Sequence, residues 1–548
     1  MFTIDRVVTA RFSAIAVLIV MSIGFVADQS AAQEKKPEFL GLLGCVGCHD
    51  GPNVLYKRAG IESFVELTEA LDWVARDRHS QACNHIDPAQ SKLAEQIYKR
   101  LNIPVADWTS QRQCLSCHAN WLPQQTDLPP NYMEGVGCES CHGPSSMWDP
   151  GHRSVKWRTT KPADKMKLGM IPVRHPVARS EQCFSCHIGN AKEQKVVTHA
   201  MYAAGHPPLP NVEIESFVRK MPRHWRSLPE KGDFQHREEF VKLHYGSADA
   251  EKDLPQTKAV VIGGVVALRC YLQLLGAQET EESQGGLRWP ELAMYDCSGC
   301  HHDLKSPSWR QLRSDFGRGR PRMLEWPILI AEHVSLPLLN DDAATKKFKT
   351  HMADLRILLA RRPFGPPGAG KGSLAAEAQQ FANWLKTIEQ QLAGKSYNRE
   401  TASQALANVV SANKAELWDY YTARQLADAY RTIQLEVQTG YPEFTEVGAT
   451  PQTKAEGYLK QLNEWNCGPA AERSQQIDKQ LTDQLLQKPL SLLLLTDFVC
   501  NKEPELTPAA MNEKIWLNRT QMLENATKYD ARWFQQRFGQ LTSGSPSK

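Results

Sequence analysis

The chain has 548 residues and a formal net charge of +3, with 41% hydrophobic and 23% charged residues. That length accommodates two to four domains, and the near-balance of charge leaves no electrostatic footprint for nucleic acid. The informative content lies in 14 cysteines and 17 histidines and in how they are spaced.

The N-terminus reads as an export signal. Arg6 and Arg11 make a basic start, Ala14 to Ala27 is an apolar run too short to span a bilayer comfortably, and Ser30-Ala31-Ala32 offers a small-residue cleavage site before Gln33. Residues 1–32 are expected to be a signal peptide, with an uncleaved anchor as the alternative, and the mature chain is expected to be periplasmic. Membrane association is compatible with this reading but not required by it.

The first chemical motif is Cys45-Val46-Gly47-Cys48-His49. Two cysteines three apart and an adjoining histidine form the attachment pattern of a c-type haem: the thiols make thioethers to the porphyrin edge and the imidazole binds the iron. The pattern recurs at Cys114–His118, at Cys138–His142 within Gly135-Val136-Gly137-Cys138-Glu139-Ser140-Cys141-His142-Gly143-Pro144, at Cys183–His187 and at Cys297–His301. Independent placement of these residues predicts roughly 0.01 matches. Zinc also uses paired cysteines, but it does not need a histidine after every pair, and five pairs do not group evenly into four-ligand sites. Five covalent haems c are therefore expected, held by Cys45, Cys48, Cys114, Cys117, Cys138, Cys141, Cys183, Cys186, Cys297 and Cys300, with His49, His118, His142, His187 and His301 on the irons. Propionates and ferric cores together shift the net charge by roughly −5, bringing the holoprotein near neutral. Thioether attachment of haem is an extracytoplasmic process, in agreement with an export signal.

Between the motifs, periodicity is weak and Gly and Pro are frequent. Ile61 to Arg76 reads as a helix with Phe64, Leu67, Leu71 and Val74 on one face, whereas the proline-rich Leu122 to Asn131 excludes regular helix. The apolar stretch Ala259 to Leu275 is broken by Gly263, Gly264 and Arg269 and does not read as a membrane span. From about Pro321 the texture changes. Ser373 can cap a helix striped by Phe381, Trp384, Leu385, Ile388 and Leu392 and stopped by Gly394. Further helices are expected over Ala415 to Gln438, Thr453 to Trp465, Ala470 to Leu486 and Asn512 to Phe538, with a Pro/Gly-rich connection at Pro363 to Gly372. The expected fold is mainly α: a pentahaem domain of short helices and loops wrapped around haems over residues 33–320, then an antiparallel helical domain over 321–548.

Four cysteines lie outside the motifs. In an oxidising compartment Cys467 with Cys500 and Cys83 with Cys270 are candidate disulfides, with buried free thiols as the alternative. The twelve histidines outside the motifs all lie between His79 and His351, where sixth ligands to the irons are needed.

Gly135 to Pro144, followed by Gly151-His152-Arg153, resembles the third haem site of the tetrahaem cytochrome c554 family, which is related in haem arrangement to the multihaem hydroxylamine oxidoreductases. The likeness covers roughly residues 40–225; the fifth motif and the helical C-terminal half depart from it. The resemblance implies that most irons carry two histidines, with His79 and His152 as distal ligands, and that a further distal ligand follows the fourth motif, where His199, His206 and His224 are choices and His206 is preferred. It also implies that the haem on His118 has an open face. No C-x-x-C-Lys motif, the mark of the pentahaem nitrite reductases, is present. The expected function is electron transfer between redox partner proteins, other cytochromes or a dehydrogenase. The alternative is redox chemistry on a small nitrogen compound at the haem on His118.

Overall fold

The apolar stretch that begins at Ala259 closes into a 23-residue helix, Pro255–Ala277, started by a proline in its first turn. It is the centre of the larger hydrophobic cluster in the computed structural model. We describe residues 36–49, 64–121, 134–219, 221–245, 253–278, 290–302, 322–361, 373–439 and 531–539. All elements named below belong to one unit, Phe39–Lys548. Among the described residues there are no strands, only isolated bridges at Asn190–Lys195 and Tyr295–Met323, so the fold is mainly α.

In chain order the helices that matter here are α1 (Leu42–His49), α2 (Glu69–Arg76), α3 (Lys92–Arg100), α4 (Arg112–His118), α5 (Cys138–His142), α6 (Pro176–His187), α7 (His199–Ala204), α8 (Ile214–Val218), α9 (Pro255–Ala277), α10 (Trp326–Ile330), α11 (Asp342–Arg361), α12 (Leu374–Ala393), α13 (Arg399–Ala415), α14 (Tyr420–Thr439) and α15 (Ala531–Gly539). Helix α9 meets the anticipated test for a membrane span by length and composition, yet 89% of its apolar window is buried against protein. Its glycines explain the packing. A β-carbon at Gly264 would stand 2.3 Å from Ile330 Cγ2, and one at Gly263 3.2 Å from Ile214 Cγ1, so α10 and α8 approach α9 where side chains are missing. Arg269, the charge in the middle of α9, is buried. Its Nε donates to Glu389 Oε1 at 2.6 Å and its Nη1 to Glu181 Oε1 at 3.0 Å. One guanidinium thus joins α9 to α12 and to α6, the helix that carries the fourth motif.

The C-terminal stripe is seated as its spacing requires. Ser373 caps α12 by accepting from Ala376 N at 3.1 Å, and Phe381, Leu385, Ile388 and Leu392 are buried. Two boundaries differ from expectation. The helix expected over Ala415 to Gln438 begins at Tyr420, where Asp419 accepts from Tyr421 N and Thr422 N (2.9 and 3.1 Å) and starts α14, while Ala415 is the last residue of α13. The helix expected from Ile61 begins at Glu69, since Leu67 sits at φ +64° and is buried, while Val74 is exposed. Phe64 packs instead edge-on against Phe234 and Phe240 at 5.0 and 5.1 Å. Cys83 and Cys270 are both buried, in separate clusters, and form no disulfide with each other. Residues 1–32, the Leu122–Asn131 and Pro363–Gly372 stretches, Cys467, Cys500 and the helices expected near 453–465 and 470–486 lie outside the described residues, as does 512–530.

Gly264→Ala drives a methyl group into Ile330 and should cost about 1–3 kcal/mol of stability, read as a lowered urea midpoint at unchanged slope. A change below about 0.5 kcal/mol would mean that α10 yields at no cost.

Candidate haem centres

In an α-helix, residues i, i+3 and i+4 share a face, and a C-x-x-C-H motif places its two thiols and its imidazole at those positions. Helices α1, α4, α5 and α6 each end on a motif histidine: His49, His118, His142 and His187. The fifth motif begins in a single 3-10 turn, Cys297–Gly299. Local sequence therefore fixes each attachment edge and its proximal imidazole.

The opposite imidazoles come from elsewhere. His152 faces His49 with ring centroids 6.4 Å apart. His79 faces His187 at 6.5 Å, His206 faces His118 at 6.4 Å and His199 faces His301 at 6.2 Å. Bonds of roughly 2 Å from a metal to each of two trans imidazoles, with ring centroids about 1.1 Å further out, give a separation of about 6 Å. Four pairs at this one spacing, each containing a motif histidine, fit a six-coordinate metal held between two rings.

The other ring nitrogen is turned away in a consistent manner. His49 Nδ1 donates to Glu69 Oε2 (2.8 Å), His79 Nδ1 to Asp77 Oδ1 (2.9 Å), His118 Nδ1 to Ala82 O (2.9 Å), His152 Nδ1 to Asp149 O (2.5 Å) and His206 Nδ1 to Pro207 O (2.7 Å). Fixing Nδ1 in this way leaves Nε2 free for a metal and locks the ring orientation. Burial also pushes His118, His142 and His187 down to about 4, so these imidazoles stay neutral and keep the lone pair that ligation needs. The Glu69 hydrogen bond holds His49 above its ordinary value; burial acts to lower His79, but Asp77 outweighs it. His244 behaves differently: its Nε2 is spent on Arg158 O at 3.0 Å.

Among the described residues no group of three or more His, Cys, Asp or Glu side chains converges as a metal cage would. Two trans imidazoles beside a pair of thiols do not make a tetrahedral zinc site. A haem fits the donor set: it would bring the further nitrogen ligands that the chain does not provide, and the paired thiols would attach it.

The motifs also adjoin one another. Cys45 lies within hydrogen-bonding reach of Cys138, Cys117 within reach of Cys186, and Cys141 within electrostatic range of Cys183 and Cys186. The attachment sites therefore run in space as first, third, fourth, second, which is not their order in the chain. Residues inside the motifs hold this series together. Buried Glu139 accepts from Leu40 N (3.0 Å) and Gly41 N (2.7 Å) at the start of α1, and from Ser145 N (2.7 Å) beyond the third motif. Ser140 Oγ and Gly137 N both donate to Asn120 Oδ1 (2.5 and 2.8 Å), just past the second motif. Sequence reasoning missed these clamps; a carboxylate at an interior motif position was the available signal.

The family model of cytochrome c554 and c-prime matches residues 44–143, which contain the first three motifs. The cytochrome c-554 of Nitrosomonas europaea is 29% identical over 115 residues, 20% of this chain and 48% of that protein. This stretch is c554-like. The chain spans about half the length of that relative, and no solved structure matches. The likeness to c-type cytochromes covers this segment alone. The fourth and fifth motifs and the helices beyond them lie outside the matched residues.

Two expectations change. The face opposite His118 is not open: His206 stands there. His142, expected to be an ordinary saturated ligand, has no ring partner within 6.5 Å among the described residues. The imidazole that influences it most strongly is that of His224, whose Nδ1 donates to Pro222 O at 3.1 Å. His152 and His79 are brought to His49 and His187, and His206 to His118.

Glu139→Ala would strand buried N–H groups at the head of α1 and should cost about 1–3 kcal/mol. Differential scanning calorimetry of the holoprotein should show it, with Glu139→Gln losing less. Equal losses in both variants would show that the charge, not the hydrogen bonds, matters.

Proposed function

We propose that this is an exported pentahaem c-type cytochrome that carries electrons between redox partner proteins, such as other cytochromes or a dehydrogenase. The observation that carries the reading is the set of four trans imidazole pairs, each including a C-x-x-C-H histidine. Bound haem supplies one-electron iron chemistry. The chain's own residues do the rest. At the four paired sites a bound haem would have an imidazole on each side, which would leave a small molecule no room there. The Nδ1 acceptors Glu69, Asp77, Ala82 O, Asp149 O and Pro207 O set ring orientation and ligand basicity. Adjoining cysteines bring the first four attachment sites into one series. Beyond His351 the helical half carries neither motif nor histidine, which suits a scaffold and a docking body rather than a second redox centre.

The count is tested by intact mass and a pyridine haemochrome assay, with five covalent haems expected, and by a potentiometric titration taking up five electrons per chain. Four or fewer would overturn the pentahaem reading.

A second reading keeps small-molecule redox chemistry but moves it to His142, the motif histidine without a ring partner at the common spacing. Low-temperature EPR of the oxidised protein decides between the two. One high-spin ferric centre that shifts with nitrite or nitric oxide, unchanged in His224→Ala, would support an open site there. Five low-spin centres, one of them turning high-spin in His224→Ala, would make His224 the sixth ligand and remove the second reading.

A further inference from the structure

We infer that His199 is the second axial ligand of the haem attached at Cys297 and Cys300, and that helix α7 joins this site to the one at Cys114 and Cys117 as the end member of the series. The inference rests on the haem reading above and deepens it at the motif furthest from the c554-like segment.

His199 and His206 bracket a single short helix. His199 is the first residue of α7, which is six residues long, about 9 Å. Thr198 caps it, its side chain accepting from Met201 N at 3.3 Å. Gly205 ends it in the left-handed region at φ +115°, a conformation that suits glycine at a helix terminus. The chain then doubles back so that His206 N donates to Met201 O at 2.9 Å. This reversal sends the two imidazoles to different partners. The His199 ring lies 6.2 Å from that of His301 with 27° between planes, and the His206 ring 6.4 Å from that of His118 with 81°. Had α7 continued, His206 would have stayed on the helix and could not have turned to His118. Arg100 on α3 fixes the helix end by donating to Ala204 O at 2.9 Å.

The ligand and its motif are tied together independently of any metal. His199 N donates to Glu291 Oε1 at 2.7 Å, and the same oxygen accepts from Ala293 N at 3.0 Å on the segment leading into the motif. Tyr202, in the middle of α7, lies within electrostatic range of Cys297 and has its ring 6.0 Å from that of His206, so one side chain borders both sites. The C-terminal helices complete the wall. Asp296 N donates to Arg322 O at 2.9 Å, and the Arg322 guanidinium holds Glu416 at 2.9 Å. Tyr421 on α14 is within electrostatic range of Cys297. The helical half thus has a definite task, to seat the fifth site. Cys297, Cys300 and His301 are exposed while the thiols of the other motifs are not.

The test uses the full-length holoprotein with His199→Ala. Intact mass should still show five haems. Low-temperature EPR should show one low-spin centre converted to high spin, and added imidazole should restore it. His206→Ala should convert a different centre, and the double variant two. An unchanged spin count in His199→Ala with full haem content overturns the ligand assignment. Should that variant fail to accumulate, His199→Met is expected to stay low-spin while one midpoint potential rises; five unchanged potentials would overturn the assignment equally. Wild-type mass with four haems and unmodified Cys297 and Cys300 would overturn the attachment itself. Failure to exchange electrons with partner proteins would count against the proposed function and leave these spectra untouched.

Discussion

Two imidazoles must stand with their ring centres about 6 Å apart and a nitrogen of each turned toward the gap wherever a metal is to be held between them. The segment between His49 and His301 is arranged to meet that requirement four times. The local part is easy, because a turn of helix ending on histidine brings two thiols and a ring to one face. The non-local part is demanding: His152, His79, His206 and His199 each arrive from a segment remote in sequence from the motif they face. Each is steered by an Nδ1 acceptor or a backbone clamp. Around the second motif the hydrophobic cluster of buried residues is only Cys83, Ile86, Leu115 and Ala119, too small to dictate such placement. The haem-binding half therefore depends on its cofactors for much of its core, in the manner of domains whose metal binding is part of their folding free energy. Helix α9, sunk among α10, α12 and α14, centres an ordinary apolar core that also takes in Phe184, Ile188 and Val196 around the fourth motif.

This difference explains what could be read from the sequence. The five motifs were legible because their chemistry is written in consecutive residues. The stripe of α12 and its Ser373 cap were legible because amphipathic periodicity and capping are local as well. The distal partners were only partly so. Resemblance pointed to His79 and His152, but which ring each would meet is a tertiary fact. The expectation of an open face at His118 failed because a single glycine, Gly205, reverses the chain and presents His206 there. The helix expected from Ile61 failed for a similar reason: Leu67 takes a left-handed conformation to reach the interior, and no periodicity reports that. Glu139 went unnoticed because a motif's interior positions are usually read as fillers.

The two halves are joined by polar groups as well as apolar ones. Arg269 lies in the centre of an apolar helix, where an unpaired guanidinium would be very costly. It is accommodated because Glu389 and Glu181 meet it from α12 and α6. Since α6 ends on His187, the orientation of the fourth motif is tied through one buried ion pair to the helical core. Arg322 does the same for the fifth motif through Glu416. These contacts make the helical half a frame against which the last two motifs are held, which accounts for its presence in a chain whose c554-like segment already contains three motifs of its own.

Exposure then distinguishes the ends of the series. The thiols of the first four motifs are half-buried, and three of their histidines are kept neutral by burial, whereas the fifth motif faces solvent. Solvent stabilises the charged ferric state relative to the ferrous one, so exposure and burial act on potential in opposite directions. A chain that sets its attachment sites in the spatial order first, third, fourth, second and then fifth passes from enclosed surroundings to an open one. Helix α7, with His199 toward His301 and His206 toward His118, sets the fifth site beside the second.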